Sequence, residues 1–541
     1  MRVFLLLWFL TPPLSGAYSD LIATSDGNAV YFQVQTGPVT YSWYVARAGT
    51  PGPVVTAVNQ PLADVDGSGT VLASAFTATR SCSFAGSSCW LADPCRASFQ
   101  LEGPGFTYSN TNDTFTRVSR SGEFAWISQR SCTILGPQPS VILGGLYQSA
   151  SLKLVAAQGA AGAANQRAGR LTVTDRGQLL TLAGPQLGWL DTSGAHLIRN
   201  VNGAFEAVTD RQGANVAYVD APFGELHWVS GTDWLAAQDL DLNLMGSAPA
   251  LTEDGSSLLF LAADGSLQAY QRAAGTLRSL GADRYQSFTV GGNAVFAITL
   301  DGRLVRLDLV SGDASVWLSP FIEISTVDAP DIVPNWCTYI CYGQTEYDKI
   351  LSAGMLVILE GHKLGGTGWR VRMAGVETPL VPLSDTAAWF QAPDGPTGEN
   401  TLQIYRPDFP IVYSIKTQDR DLAIACLGTL NQDFSQLVTA DHPASPGEIV
   451  HIFLSGLKGV EPVANGVPNP TDHLVGIANP PPLYDPGALE QLFFGLAPGL
   501  VGIQQLDVRV EHAASGLFTP PGLSPDFTPT WNCTAPPVMA P

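Results

Sequence analysis

Between residues 20 and 320 the chain repeats one short unit, and this repetition restricts the fold more than any single motif does. A small or β-branched residue leads into a polar turn ending in Gly, and an apolar strand follows. The unit reads ATSDGNAVYF at 23–32, VDGSGTVLA at 65–73, VSRSGEFAWI at 118–127 and VTDRGQLL at 173–180. It returns as VTDRQGANVAYV at 208–219, LTEDGSSLLF at 251–260 and VGGNAVFAI at 290–298. The turn glycines Gly27, Gly69, Gly122, Gly177, Gly213, Gly255 and Gly292 fall 36 to 55 residues apart. Several units add a second turn and strand, as in AADGSLQAYQRAAGTLRSL at 262–280 and TLDGRLVRLDLVSGDASVWL at 299–318. Asp and Gly tolerate positive φ, so a D-G pair between alternating apolar segments predicts a hairpin. About four short strands in every ~42 residues is the pattern of a β-propeller. A pair of β-sandwiches uses similar turns at similar spacing, but the regular return of one unit favours the propeller.

The unit resembles the WD40-like repeats of the TolB-type propeller family, which run S-x-D-G into an aliphatic strand and then form a second D-G hairpin. The resemblance spans residues 18–320 and is closest in the last three units. It implies about seven blades. Insertions carrying Cys82, Cys89, Cys95 and Cys132 interrupt the second and third units.

A chain of 541 residues outgrows a single hydrophobic core, so several domains are expected. With 45% apolar and 14% charged residues, it is a folded chain and not a disordered one. The formal charge of −20 and the lack of a basic patch argue against nucleic acid and anionic lipid as partners. At the N-terminus, Arg2 precedes the apolar run 3–10, and Ser15-Gly16-Ala17 offers a small-x-small cleavage site. This reads as a signal peptide over 1–17, and no apolar run elsewhere is long enough for a transmembrane segment. Ala17 stands where a lipoprotein would carry Cys. The protein is therefore expected to be secreted, extracellular or associated with the cell surface.

Eight cysteines accord with export: Cys82, Cys89, Cys95, Cys132, Cys337, Cys341, Cys426 and Cys533. An even count in an exported chain predicts disulfides, paired within the three clusters. Cys337–Cys341 would close a tight loop and Cys426–Cys533 a long one, while the pairing among the first four stays open. There is no C-x-x-C pair and no neighbouring His to favour zinc.

After residue 320 the pattern changes. SAGMLVILEGHKL at 352–364 aligns with SPGEIVHIFLSGL at 445–457, and each is followed by G-V-x-x-P, at Gly375–Pro379 and Gly466–Pro470. The offset of roughly 90 residues is the size of one Ig-like sandwich. Two such domains are expected, at 325–420 and 421–541. Within the second, Asn431, Asp433, Ser435, Pro443, Ala444, Pro446, Gly447, Val450, Ile452, Gly456 and Leu457 form an ordered pattern, followed by FGLAPGLVGIQQLDVRV at 494–510. These residues are similar to the C-terminal domain carried by many secreted acidobacterial (Solibacter-type) proteins. This chain has Gln504 where that family has Tyr, and Asp507 where it has Asn. The upstream half, ending in WFQAP at 389–393, matches it less closely. The resemblance implies export and modularity and supplies no catalytic residues.

No G-x-S-x-G elbow, H-E-x-x-H or Walker loop occurs. His196, His227, His362, His442, His451, His473 and His512 are scattered singly, and His451, between Val450 and Ile452, is expected on the outward face of a strand. The segment 64–69 begins like a calcium loop with Asp64 and Asp66, but it lacks a third Asp and a distal Glu, so it reads as a hairpin turn. Asp239, Asp241 and Asn243 alternate with leucines as one wet face of a strand. Trp43, Trp126, Trp189, Trp228 and Trp317 fall within expected strands and read as packing residues, with Trp234 the candidate for an exposed glycan contact. Neither a metal nor a cofactor is required. The reading is a non-enzymatic binding or scaffold protein whose propeller face recognises an extracellular protein or glycan and whose tail spaces or anchors it. The alternative is an extracellular propeller enzyme (glycoside hydrolase, lyase or peptidase-like), with turn acids such as Asp191, Asp233, Asp264 and Asp301 converging on the channel mouth.

Overall fold

The computed structural model describes residues 18–37, 41–84, 87–111, 113–131, 140–158, 172–183, 186–200, 206–221, 223–231, 238–328, 349–351, 354–366, 368–393, 398–407, 409–419, 425–483 and 486–513. Among them there are strands and turns but no α-helix, so the protein is all-β. Two compact units divide the described chain. One holds 18–35 and 41–321; the other holds 36–37 and the residues from 322 on.

The first unit is a succession of up-and-down antiparallel sheets in chain order. The first sheet contains Tyr18–Ala23, Ala29–Gln35, Tyr41–Arg47 and Val54–Val58, and the second Leu62–Val65, Leu72–Phe84, Ser87–Gly103 and Phe106–Thr111. The third contains Asp113–Val118, Phe124–Ser131, Ser140–Gln148 and Lys153–Gln158. In the fourth, Val173 bridges to Leu179 ahead of Leu179–Ala183, Gln186–Asp191 and Gly194–Asn200. The fifth and sixth share the long strand Gln238–Leu251. Its first part pairs with Gly224–Ser230, beyond Asn215–Val219 and Glu206–Thr209. Its end pairs with Ser257–Leu261, followed by Leu267–Gln271 and Thr276–Leu280. The seventh contains Tyr285–Gly291, Ala294–Thr299, Leu304–Asp308 and Ala314–Leu318.

Inner strands alternate or run wholly buried because each sheet is covered on both faces by its neighbours, whereas the outermost strands Val54–Val58, Thr276–Leu280 and Ala314–Leu318 are largely exposed. The core is accordingly a series of layers between sheets. Trp126 and Leu146 of the third sheet meet Val173, Leu179 and Leu190 of the fourth. Leu180 and Trp189 meet Val216 and Tyr218 of the fifth, and Trp228 meets Leu258 and Phe260 of the sixth. Leu259 and Ala269 meet Val295 and Leu307 of the seventh. Trp43, Trp126, Trp189 and Trp228 are thus packing residues. Trp317 is half-buried edge-on against Phe296, and Trp234 lies outside the described residues. The succession closes on itself: Tyr18–Ala23 packs against Tyr285–Gly291 and Ala294–Thr299, and the Tyr18 hydroxyl donates to Ser319 O at 2.6 Å. A closed series of radial meanders is propeller architecture.

The second unit repeats a sheet. Glu323–Asp328, Leu356–His362, Ala387–Gln391 and Val381–Pro382 form one four-stranded sheet, with the strand latest in the chain placed third. Ala425–Leu430, Glu448–Ser455, Gln504–Val510 and Leu489–Leu496 form another in the same order, also antiparallel throughout. The aligned glycines do the same job in each. Gly354 (φ 79°) donates its N–H to Ala392 O at 2.8 Å, and Gly447 (φ 84°) donates to Val510 O at 2.7 Å. The copies differ in what accompanies the sheet. The first has a second, five-stranded sheet in which Gly375-Val376 opens a hairpin strand. In the second, the matching Gly466-Val467 lies outside any strand among the described residues. Loop residues Ala444, Leu457, Val475 and Ile477 join the sheet's core there.

Candidate functional site

Six of the repeated turns share one hydrogen-bond pattern. The N–H of Gly27, Gly69, Gly122, Gly177, Gly213 and Gly255 donates to the carbonyl three residues earlier, and each of these glycines has φ between 66° and 76°. Only a residue without Cβ adopts this conformation at little cost. The first and third turn positions are occupied locally. Thr24 Oγ1 donates to Asp26 Oδ1 and accepts from Ala29 N, and Thr252 does the same with Asp254 and Ser257 N. The second position is left to reach beyond its own turn. It holds Ser25, Gly67, Arg120, Asp175, Arg211 and Glu253 in succession.

These residues join one turn to the next. Ser25 N donates to Gly67 O at 2.7 Å and Gly67 N to Arg120 O at 2.7 Å. Asp175 N donates to Arg211 O at 3.0 Å and Arg211 N to Glu253 O at 3.1 Å. Ser121 N donates to Asp175 Oδ1 at 2.7 Å, and Ser25 Oγ closes the ring on Glu253 Oε1 at 2.6 Å. A side chain at the second position would not fit everywhere: a Cβ on Gly67 would lie 2.0 Å from Ser25 Oγ and 2.7 Å from Arg120 O. The charged members pair across the ring. Arg120 gives Nε and Nη2 to Glu253 Oε1 at 2.8 and 2.5 Å and Nη1 to Ala23 O at 2.8 Å. Arg211 gives Nε to Asp175 Oδ2, and its Nη1 lies 3.7 Å from Glu253 Oε2. With side-chain exposures of 8% for Arg120 and 15% for Glu253, this is a shielded pair.

Beside the ring, a polar cleft of about 480 Å³ opens between the sixth and seventh sheets. Its walls include Glu253, Asp254, Ser256, Gln271, Arg278 and Asn293. Burial pushes the Asp254 carboxyl up, but hydrogen bonds from Thr252 and Ser256 outweigh it and leave the group below its ordinary value. The opposite case is Glu206, at the start of the inner strand that leads to Arg211. Burial pushes its carboxyl up to about 7.

Of the turn acids expected at the channel mouth, the three described ones, Asp191, Asp264 and Asp301, are each held by nearby residues. Asp191 sits between Gln186–Asp191 and Gly194–Asn200 and accepts from Ser193 N and Oγ and contacts His196 Nε2. Ser193 Oγ contacts that same Nε2, so the trio cannot relay a proton as a Ser-His-Asp triad does, through opposite ring nitrogens. Asp264 pairs with Arg284, Asp301 with Arg303, and Asp233 lies outside the described residues. The carboxylates at the ring are Asp175 and Glu253. The segment 64–69 is a turn: Asp66 accepts from Thr70 N, Val71 N and Ser68 Oγ, while Asp64 accepts from Val65 N and Val118 N. Among the described residues no cluster of three His, Cys, Asp or Glu side chains is arranged to hold a metal.

His451 lies on the face of the strand that alternation predicts, but it is covered. Its side chain is on the outward face of the sheet but only 8% exposed overall. Phe434, held at φ 61° in the loop of Asn431, Asp433 and Ser435, stacks on it at 3.7 Å. Nδ1 lies 2.7 Å from Asp507 Oδ1 and Nε2 3.2 Å from Gln432 O. Of the cysteines, Cys82 and Cys89 are direct cross-strand partners in register. Cys95 and Cys426 lie in the strands Ser87–Gly103 and Ala425–Leu430, and Cys132, Cys337, Cys341 and Cys533 fall outside the described residues.

Fold and ring together define an all-β protein with a propeller head. Similar solved structures include the periplasmic gluconolactonase of Pseudomonas aeruginosa, 15% identical, covering 54% of this chain and 95% of its own, with a TM-score of 0.34. The β-propeller domain of the Trilobed protease from Pyrococcus furiosus is 8% identical, covering 56% and 96%, with a TM-score of 0.38. No family model and no curated protein matches the chain. Among the described residues no helix is long and apolar enough to cross a membrane.

Proposed function

We propose that this is an exported, non-enzymatic binding or scaffold protein. In this reading a seven-bladed head carries the recognition surface, and tandem Ig-like domains of the secreted acidobacterial type act as spacer or anchor. The observation that carries the reading is the state of the ring carboxylates. Glu253 Oε1 accepts from Ser25 and twice from Arg120, and Asp175 is held by Arg211 and Ser121 N. General acid–base catalysis needs a carboxyl free to exchange its proton with substrate, and these two are committed to holding turns together. The seven-blade count is supported by the meanders between Tyr18 and Leu318, with Gln238–Leu251 serving two of them. The register of Cys82 and Cys89 supports a disulfide between them.

The alternative is an extracellular propeller enzyme, and Glu206, whose carboxyl burial raises to about 7, is the acid on which to test it. A peptide and glycan array probed with the full-length protein, with hydrolysis assays on every hit, separates the two. Binding without turnover is expected; turnover that Glu206→Gln abolishes would overturn the binding reading. Mass spectrometry of exported protein tests the rest, with cleavage after Ala17 and a Cys82–Cys89 crosslink as the expected products.

A further inference from the structure

The cleft between the sixth and seventh sheets has charges of opposite sign that its own walls do not neutralise. At its inner end, Asp254 belongs to the turn before Ser257–Leu261; Thr252 Oγ1 and Ser256 N donate to its Oδ1, and among the described residues no cation lies within salt-bridge distance. At its outer end, Arg278 projects from Thr276–Leu280. Its Nη1 donates to the carbonyl of Val310 at 2.6 Å, and no carboxylate among the described residues pairs with it. Two other arginines of this head do have carboxylate partners: Arg284 has Asp264, and Arg303 has Asp283 and Asp301. Between the two charges the walls present the amide side chains of Gln271 and Asn293 and the hydroxyl of Ser256. No aromatic ring lines the cleft, so it lacks the flat surface on which a sugar face stacks. A volume of about 480 Å³ lies within the range of sites that enclose small organic ligands.

We infer that this cleft binds a small zwitterion of short-peptide size, its ammonium end at Asp254 and its carboxylate end at Arg278, with Gln271 and Asn293 pairing the amides between. This deepens the binding reading and rests on it. Opposite charges at the two ends of one cleft fix both the class and the direction of the ligand: a ligand of one sign satisfies one end and is repelled at the other. Arg278 in particular can meet a carboxylate with two parallel N–H donors.

The test is calorimetric titration of the full-length protein with trialanine, N-acetyl-trialanine, trialanine amide and maltotriose. Trialanine is expected to bind saturably, and blocking either end to weaken it roughly three- to five-fold, as befits solvent-exposed charge pairs. In Asp254→Asn the free peptide weakens similarly and acetylation has no further effect; in Arg278→Gln the same holds for amidation. Thermal melts of both variants check that they are folded. Failure of trialanine to bind, or indifference of the wild-type protein to both blocking groups, overturns the inference. Tighter binding of maltotriose overturns it too but leaves the binding reading standing, whereas release of free alanine overturns the binding reading itself.

Discussion

Head and tail both arise by repetition, yet they use it differently. In the head, one turn recurs with Gly always at its fourth position and Thr, Ser or Asp at its first, and the second position changes from copy to copy through Ser25, Gly67, Arg120, Asp175, Arg211 and Glu253. In the tail, the sheet recurs twice with the same strand order, and its surroundings change from a second sheet to a covering of loops. Repetition thus supplies a frame in both. In the head, the residues that link one turn to the next change at the second turn position; in the tail, the change lies in whole segments.

The sharpest way to break the comparison is to remove a residue that the frame itself needs. Trp228 is fully buried between the fifth and sixth sheets, with Nε1 on Asn215 Oδ1 and the Arg272 guanidinium 5.2 Å from its ring. Trp228→Ala is expected to cost about 3–5 kcal/mol, read by urea unfolding. A change at the variable position should cost less. Glu253→Gln leaves the Arg120 and Arg211 guanidiniums undercompensated, at about 2–4 kcal/mol. The double variant Arg120→Met/Glu253→Gln is expected to recover part of that loss. Strict additivity of the two substitutions would show that the pair does not couple.

Glu206 gives a pH signature. Its folded carboxyl is near 7 against an ordinary 4.5, so the folded state binds the proton more tightly than the unfolded chain does. Stability falls as pH rises from about 4.5 through 7 and stays lower above that. Glu206→Gln is expected to stabilise the head by about 1–3 kcal/mol at pH 8 and to flatten this slope. Thermal melts between pH 4 and 9 check it, and an unchanged slope would assign the pH dependence elsewhere. The smallest effect is expected in the tail. Asp507→Asn keeps an acceptor for His451 Nδ1 but removes the charge, at about 1 kcal/mol. Increased protease cutting near Phe434 is the accompanying sign.

The frame was legible in the sequence because its physical requirements recur. A turn needing positive φ displays Gly each time, and a strand covered on both faces displays an apolar run. The ring was harder to read for the same reason. A periodic pattern carries no information about the residue that breaks the period, and Asp191, Asp264 and Asp301, which the pattern does display, are acids in other turns, each held by its own neighbours. The usable signal was the succession of charged residues Arg120, Asp175, Arg211 and Glu253 at the second position of the turn. His451 illustrates a second limit. Alternation placed it on the correct face, but no local pattern foretold that a loop nineteen residues upstream would return Gln432 O and stack Phe434 on the ring. The recurrence of one strand of the tail was legible in the aligned segments, whereas its sheet order and the loops over its second copy follow no period in the sequence.

The ring of turns also bears on how the head opens. A linear stack of repeats frays from its ends, since each terminal repeat has a neighbour on one side only. Joining Ser25 to Glu253 leaves no such end at this face. Amide hydrogens at Ser25, Gly67, Asp175 and Arg211 should therefore exchange with solvent through one shared opening and not in a gradient around the circle. Substituting Ser25 by Ala would remove one link of the circle while Arg120 still holds Glu253 and Ala23 O, and exchange would then quicken first at the turns of Ser25 and Glu253.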